Sequence, residues 1–270
     1  MAQNQFESIK RFDDEGKEYW SSRDLAKALE YTDYRNFLTA VNKAKTACEN
    51  SGEVIHNHFV EANEMVQIGS GAEKPIETIY LSRYACYLIV QNSDPTKVVV
   101  AKGQTYFAIQ TRLQEKTDTL IEDNNRVFLR EEMKKHNTSL MQTASMAGVE
   151  SFAIFQNAGY KGLYGGLTMQ DIHIHKKLKK SQKILDHMNS EELAANLFRA
   201  TQTDAKIKRE NIKGQGSANL AHYAVGQKVR NTIANLGGTM PENLPSMDGI
   251  GQAKTRLKKV QSKRLDGKKK

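Results

Sequence analysis

Residues 113–147 read LQEKTDTLIEDNNRVFLREEMKKHNTSLMQTASMA, with neither glycine nor proline. A charge-rich stretch of that length, with no residue that frees or breaks the backbone, predicts one long helix or two in series. Leu113, Leu120 and Val127 recur seven apart, and Phe128, Met133, Leu140 and Ala144 extend an imperfect apolar stripe. Such a stripe can serve a connecting or dimerising coiled coil, but Lys134 breaks the heptads, which favours a helix packed on its own domain. Strand and helix signals alternate before this segment, and only helix signals follow it. The expected fold is an α+β N-terminal domain followed by a mainly α-helical C-terminal region, predominantly helical overall.

Working outward toward the N-terminus, residues 6–12 and 18–20 read as short strands joined at Asp14-Glu15-Gly16. Helices are expected over 23–29, opened by Ser21 or Ser22, and over 34–48, with the apolar stripe Phe37, Val41, Ala44 and Cys48. Residues 65–68 and 78–81 look like strands around the loop 69–75, and Ser82 starts a helix to Gln91. Asp94-Pro95 reads as an N-cap followed by proline at the first helical position, opening a helix to about Arg112. Toward the C-terminus, helices are expected over 151–157, 168–188, 190–209 and 217–236. The implied organisation is an α+β domain over 1–112, a connecting helix over 113–147, a basic helical domain over 148–245 and a disordered basic tail over 246–270.

The net charge of +9 is unevenly spread. Residues 1–150 carry 18 Lys and Arg against 22 Asp and Glu, a net −4, and residues 151–270 carry a net +13. A basic half of this kind is the footprint of a nucleic-acid or acidic partner. No apolar run approaches a membrane span and residues 1–9 lack the pattern of a secretory signal, so the expected compartment is the cytoplasm, with no membrane partner. Cys48 and Cys86 have no CxxC partner and read as small buried hydrophobes.

The 168–188 segment carries the sharpest pattern. At 100° per residue, Ile174, Leu178, Ile184, Leu185 and Met188 share one face, and Lys176, Lys179, Lys180 and Lys183 share the opposite one. A phosphate backbone would relieve that crowding of ammonium groups. Over 190–209, Leu193, Leu197 and Ala200 face inward, while Arg199, Gln202, Lys206 and Arg209 line the other side. That face could read bases, grip a protein or simply stay solvated. In the run Gly159-Tyr160-Lys161-Gly162-Leu163-Tyr164-Gly165-Gly166, glycines would admit a phosphate and Tyr160, Lys161 and Tyr164 could hold an unpaired base, although a tight turn between helices also explains it.

Signals for catalysis are weak. His173 and His175, two apart on a helix, point about 200° from each other and cannot chelate one ion. Glu191-Glu192 falls in the first turn of a helix, where it complements the dipole. No Walker A, Gly-x-Ser-x-Gly, His-Glu-x-x-His or Rossmann pattern occurs. The chain therefore reads as a binding protein rather than an enzyme, with no metal, cofactor or small-molecule substrate.

Several strings are recognisable as family features. They include Cys48-Glu49-Asn50-Ser51-Gly52, Leu81-Ser82-Arg83-Tyr84-Ala85-Cys86-Tyr87-Leu88, the run from Ala101 to Arg112, Phe152-Ala153-Ile154-Phe155-Gln156-Asn157 and the run from Glu192 to Thr203. On these the chain resembles the DNA damage-inducible protein D family from Phe6 to about Pro245. The front segment, through Trp20-Ser21-Ser22-Arg23-Asp24-Leu25, also resembles, more loosely, the BRO-N domain of phage antirepressors and viral BRO proteins. The first resemblance implies an SOS-induced bacterial protein that dismantles or restrains RecA filaments on single-stranded DNA without its own ATPase. The second implies a DNA-binding regulator or antirepressor. Neither supplies catalytic residues.

Overall fold

Trp20 is fully buried, and the N-terminal part of the molecule is assembled around it. The structure, a computed structural model, describes residues 6–68 and 72–266, with side chains to 262 except that of Ile68. It divides into two compact units, Met1–Gln114 and Glu115–Lys270. In the first, strands β1 (Lys10–Phe12), β2 (Glu18–Ser21), β3 (Phe59–Ile68) and β4 (Ala72–Leu81) form an antiparallel sheet in the order β1-β2-β4-β3. Helices α1 (Ser22–Ala28), α2 (Tyr34–Asn50) and α3 (Arg83–Gln91) supply Leu25, Phe37, Val41 and Ile89 to the core with Trp20. Asp33 and Ser82 cap α2 and α3, accepting from the backbone amides of Arg35 and Ala85.

Three expectations change here. Phe6 is helical rather than in a strand, which lets its ring stack on Trp20 at 4.6 Å while its carbonyl accepts the indole N–H at 2.9 Å. The hairpin is longer than the strand signals at 65–68 and 78–81, pairing Phe59 with Leu81 through Ile68 with Ala72. Pro75 sits in β4 opposite Met65, in the outer part of the hairpin where β2 no longer pairs, so its missing N–H leaves no ladder broken on that side. Asp94 does not cap a helix at Pro95; its carboxylate accepts from Thr96 N at 2.9 Å and helix α4 begins at Val98. Cys48 and Cys86 are free and buried, and burial raises both thiol pKa values, Cys86 well above its usual range.

Helix α4 (Val98–Met146) absorbs both the helix expected to Arg112 and the 113–147 segment, because nothing between them breaks the backbone. In the second unit its residues Met133, Leu140 and Ala144 are fully buried, against α5 (Phe152–Leu163), α6 (Met169–His175), α7 (Ser190–Arg209) and α8 (Gln215–Asn235). Helices α5 and α8 cross at glycines. A Cβ on Gly162 would lie 2.2 Å from the Tyr223 carbonyl oxygen, and one on Gly226 would lie 2.7 Å from the Gly159 carbonyl oxygen. Hydrogen side chains alone allow backbones this close.

Residues 250–266, expected as part of a disordered segment, form helix α9 (Ile250–Asp266), and residues 267–270 lie outside the described residues. Ala253 is fully buried, Lys254 pairs with Glu131 at 2.6 Å, and Arg256 forks onto the buried Asp123 at 2.6 and 2.7 Å. Arg256 also binds Asp248, whose backbone carbonyl in turn accepts from the fully buried Arg126 at 2.6 Å. Low apolar content suggested disorder, but carboxylates of other segments neutralise two of the charges that argued for it, Lys254 and Arg256.

Candidate nucleic-acid interface

The lysine-rich segment is a folded loop. Thr168 opens α6 with a reciprocal capping box, its hydroxyl accepting from Asp171 N while Asp171 accepts from Thr168 N at 2.8 Å. The helix then stops at His175, and Lys177 takes a left-handed conformation with φ of 54°. The single helix expected over 168–188 is therefore wrong beyond its first turns. Ile174, assigned to its apolar face, is exposed, whereas Ile172 is buried. Ile184 and Met188 reach the core from a short 3-10 turn (Ile184–Asp186) and the residues after it. Breaking the helix disperses a face that would have stacked four ammonium groups.

His173 holds the loop closed. Its Nε2 lies 3.1 Å from the carbonyl oxygens of both Lys179 and Gln182, so that nitrogen carries the proton and donates. The Gln182 side-chain oxygen accepts from Lys179 N at 2.7 Å. The clamp leaves Lys177, Lys179, Lys180 and Lys183 exposed, and none forms an ion pair with a described residue. Elsewhere Lys10, Lys135, Lys206, Lys208 and Lys254 each sit beside a carboxylate. The loop therefore presents concentrated positive charge that the protein itself does not neutralise.

Lys176 behaves differently. It points inward and pairs with Glu192 at 2.8 Å, both side chains at most 2% exposed. From Glu192 a polar chain crosses the unit. Tyr164 donates its hydroxyl to Glu192 at 2.8 Å and accepts from Asn196 at 2.7 Å. Asn196 accepts from Arg199 at 3.1 Å, and Arg199 donates to His222 Nε2. His222 Nδ1 donates to the Phe155 carbonyl at 3.0 Å. Burial, and then the Arg199 charge, push the His222 imidazole well below its ordinary pKa, so it is neutral and free to accept. Burial also pushes the Glu192 carboxyl upward, with the Lys176 ammonium opposing that shift. Gly159 makes room for the chain, since a Cβ there would lie 2.1 Å from Arg199 Nη1 and 2.2 Å from His222 Nε2.

The side chains expected to contact nucleic acid thus separate into two groups. Lys176, Arg199, Tyr160 and Tyr164 are buried, which corrects the expectation that they form an outer surface. On α7 the inward polar stripe is Glu192, Asn196, Arg199 and Thr203, at i, i+4, i+7 and i+11, beside the apolar Leu193, Ala200 and Ile207. The Gly-Tyr run is not a loop, because Gly159 through Leu163 lie within α5 and only Gly165 and Gly166 turn the chain. The exposed group comprises Lys161, Lys179, Lys180, Lys183, Gln202 and Arg209, with Lys206 partly covered and paired to Glu210 at 2.6 Å.

Of the predicted residues, the structure brings Tyr160, Lys180 and Lys183 together along one groove, with Arg130, Met169 and His173. Arg130 donates to Asp186 at 2.7 Å. Sequence reading missed Arg130, which comes from the long helix far from the loop. It weighed His173 only as a metal ligand, when the useful signal was a histidine flanking a lysine run that needs its carbonyls tied down.

Comparison with known proteins bears on this arrangement. Residues 8–108 match the BRO family N-terminal domain and residues 120–253 match the DinD C-terminal domain. The chain is 57% identical over 249 residues to DNA damage-inducible protein D of Escherichia coli (strain K12), covering 89% of this chain and 91% of that one. The chain belongs to the DNA damage-inducible protein D family. The lysine loop and the buried polar chain both lie inside the stretch matching that family's C-terminal domain. Among the described residues, no helix is long and apolar enough to cross a membrane.

Proposed function

We propose that the protein is a non-catalytic, cytoplasmic DNA-damage response factor of the SOS type that modulates or disassembles RecA filaments on single-stranded DNA, using the 176–183 loop to contact the nucleic acid. Its partners would be RecA, or the RecA–single-strand filament, and DNA, with no cofactor, membrane or small-molecule substrate. The observation that carries the nucleic-acid contact is the set of exposed lysines at 177, 179, 180 and 183, tied in place by His173 and without acid partners among the described residues. Phosphates are the anions such a set fits, and binding would release condensed counterions. Exposed Lys161, Gln202 and Arg209 are candidates for supporting contacts.

The test is RecA displacement. Purified wild-type protein should shorten the lifetime of preformed RecA filaments on single-stranded DNA without adding nucleotide hydrolysis of its own. The triple variant Lys179→Glu, Lys180→Glu, Lys183→Glu should lose that effect while unfolding at the wild-type denaturant midpoint. Unchanged filament lifetime with the wild-type protein at moderate salt would exclude the proposal. The match of residues 8–108 to the BRO family N-terminal domain favours a second reading, an antirepressor-like regulator that binds duplex DNA. A duplex site preference that survives raised salt would select that reading, because non-specific phosphate binding fades steeply with salt.

A further inference from the structure

The groove beside the lysine loop has a chemistry that phosphate contact alone does not use. It encloses about 550 Å³, within the range of roughly 300–1,000 Å³ typical of small-ligand pockets. Its floor is apolar: the half-exposed Met169 and the partly exposed Leu185 lie over Tyr160 and Ile184, which are themselves buried. The Tyr160 ring is backed by the buried Arg199 guanidinium, 4.7 Å from its centroid, so the floor is held by the polar chain described above. Lys180 and Lys183 bring positive charge to the same groove, where Arg130 is balanced by Asp186, and neither lysine has an acid partner among the described residues. An apolar surface bordered by cations fits a nucleobase attached to its phosphate.

We propose that this groove receives one unpaired nucleotide of a single strand, its base against the accessible Met169 and Leu185 side chains above the buried Tyr160, and its phosphate on Lys180 and Lys183. This rests on the nucleic-acid reading of the loop and goes further, because it assigns strand preference. In duplex DNA the bases are stacked and paired, so only phosphates would reach the lysines and the floor would stay empty; an unpaired base can turn in without that unstacking cost. The ligand is a strand rather than a free nucleotide because Lys177 and Lys179, also exposed and without an acid partner among the described residues, add more charge than one phosphate neutralises. No base-specific contact is invoked, so the preference is for unpaired strands of any sequence.

The experiment places a fluorophore at the mouth of the groove. The full-length Met169→Trp variant is titrated at moderate salt with oligothymidylate, a duplex of equal length, thymidine monophosphate and polyglutamate. The wild-type protein, whose one tryptophan is the buried Trp20 of the other unit, supplies the baseline. We expect quenching of Met169→Trp by the single strand, and binding about tenfold tighter than to duplex, the low end of the roughly 1–3 kcal/mol a stacked base contributes. Adding Lys180→Glu and Lys183→Glu should abolish the quenching, and the same pair in the wild-type background should erase the strand preference measured by anisotropy, which guards against a local disturbance by the tryptophan. Equal quenching by duplex, equal affinity for the monophosphate, or quenching by polyglutamate but not by DNA would each overturn the inference. If single strand and duplex bind equally through the lysines with no quenching, the inference fails while the loop's DNA contact stands.

Discussion

Replacing Lys176 by Met should destabilise the protein more than any other loop lysine, although the sequence pattern groups it with Lys179, Lys180 and Lys183. Its ammonium lies 2.8 Å from Glu192, and both side chains are withdrawn from water. Removing one partner of a buried pair costs about 3–5 kcal/mol, because the remaining charge is uncompensated. The Tyr164 hydroxyl and the place of Glu192 in the first turn of α7 still favour its carboxylate, so the lower end, about 3 kcal/mol at pH 7, is expected. The sign of the pH dependence follows from burial, which raises the Glu192 pKa in the folded state. A carboxyl with a raised folded-state pKa imposes no penalty below its unfolded value near 4.3, and the penalty grows by up to about 1.4 kcal/mol per pH unit above it. Without Lys176 the raised pKa rises further, so the gap between Lys176→Met and wild type should narrow between pH 7 and pH 5. Adding Glu192→Gln, which keeps an acceptor for Tyr164, should recover most of the loss. Urea unfolding at the two pH values measures all of this, with Lys180→Met as a control expected within about 0.5 kcal/mol of wild type. A Lys176→Met protein as stable as that control, or a gap that widens at pH 5, would refute the buried pair.

Three further outcomes are expected. Gly162→Ala should destabilise by about 2 kcal/mol despite the helix-propensity gain of about 1 kcal/mol, because the new methyl meets the α8 backbone, whereas Gly216→Ala, with open space around it, should be neutral or stabilising in the same denaturant series. Below about pH 6.5 the unfolded chain protonates His222 while the folded protein keeps it neutral, so stability should fall with acidification by up to about 1.4 kcal/mol per pH unit. His222→Gln, able to accept from Arg199 and donate to Phe155, should lack that part of the slope in unfolding measured from pH 7.5 to 5. Arg256→Ala should cost about 2 kcal/mol through the lost charge-assisted bonds to Asp123 and Asp248, and limited trypsin digestion should then release residues after 250 faster than in wild type.

Several helix positions and the change from mixed to all-helical structure were legible because they depend on local signals. The cap at Ser82, the bounds of α7 at 190 and 209, and the unbroken run through 113–147 all follow from residues within a few positions of each other. Charge asymmetry likewise located the basic half, and the family strings reached the family that the comparisons establish. The sequence could not decide which polar residues face inward. On α7, Arg199 and Glu192 have the periodicity of a surface, yet they are buried because Tyr164, His222 and Lys176 meet them from elsewhere in the chain and Gly159 leaves room. The tail was misread for the same reason, since Asp123, which anchors Arg256, is 133 residues away. Local propensity and periodicity located most of the helices and the basic half, but not the break at Lys177 or helix α9. Which charges are neutralised, and therefore which lysines remain free for a partner, was decided by tertiary pairing, because the energy of a charge depends on its distant neighbours and its access to water rather than on its place in a helical repeat.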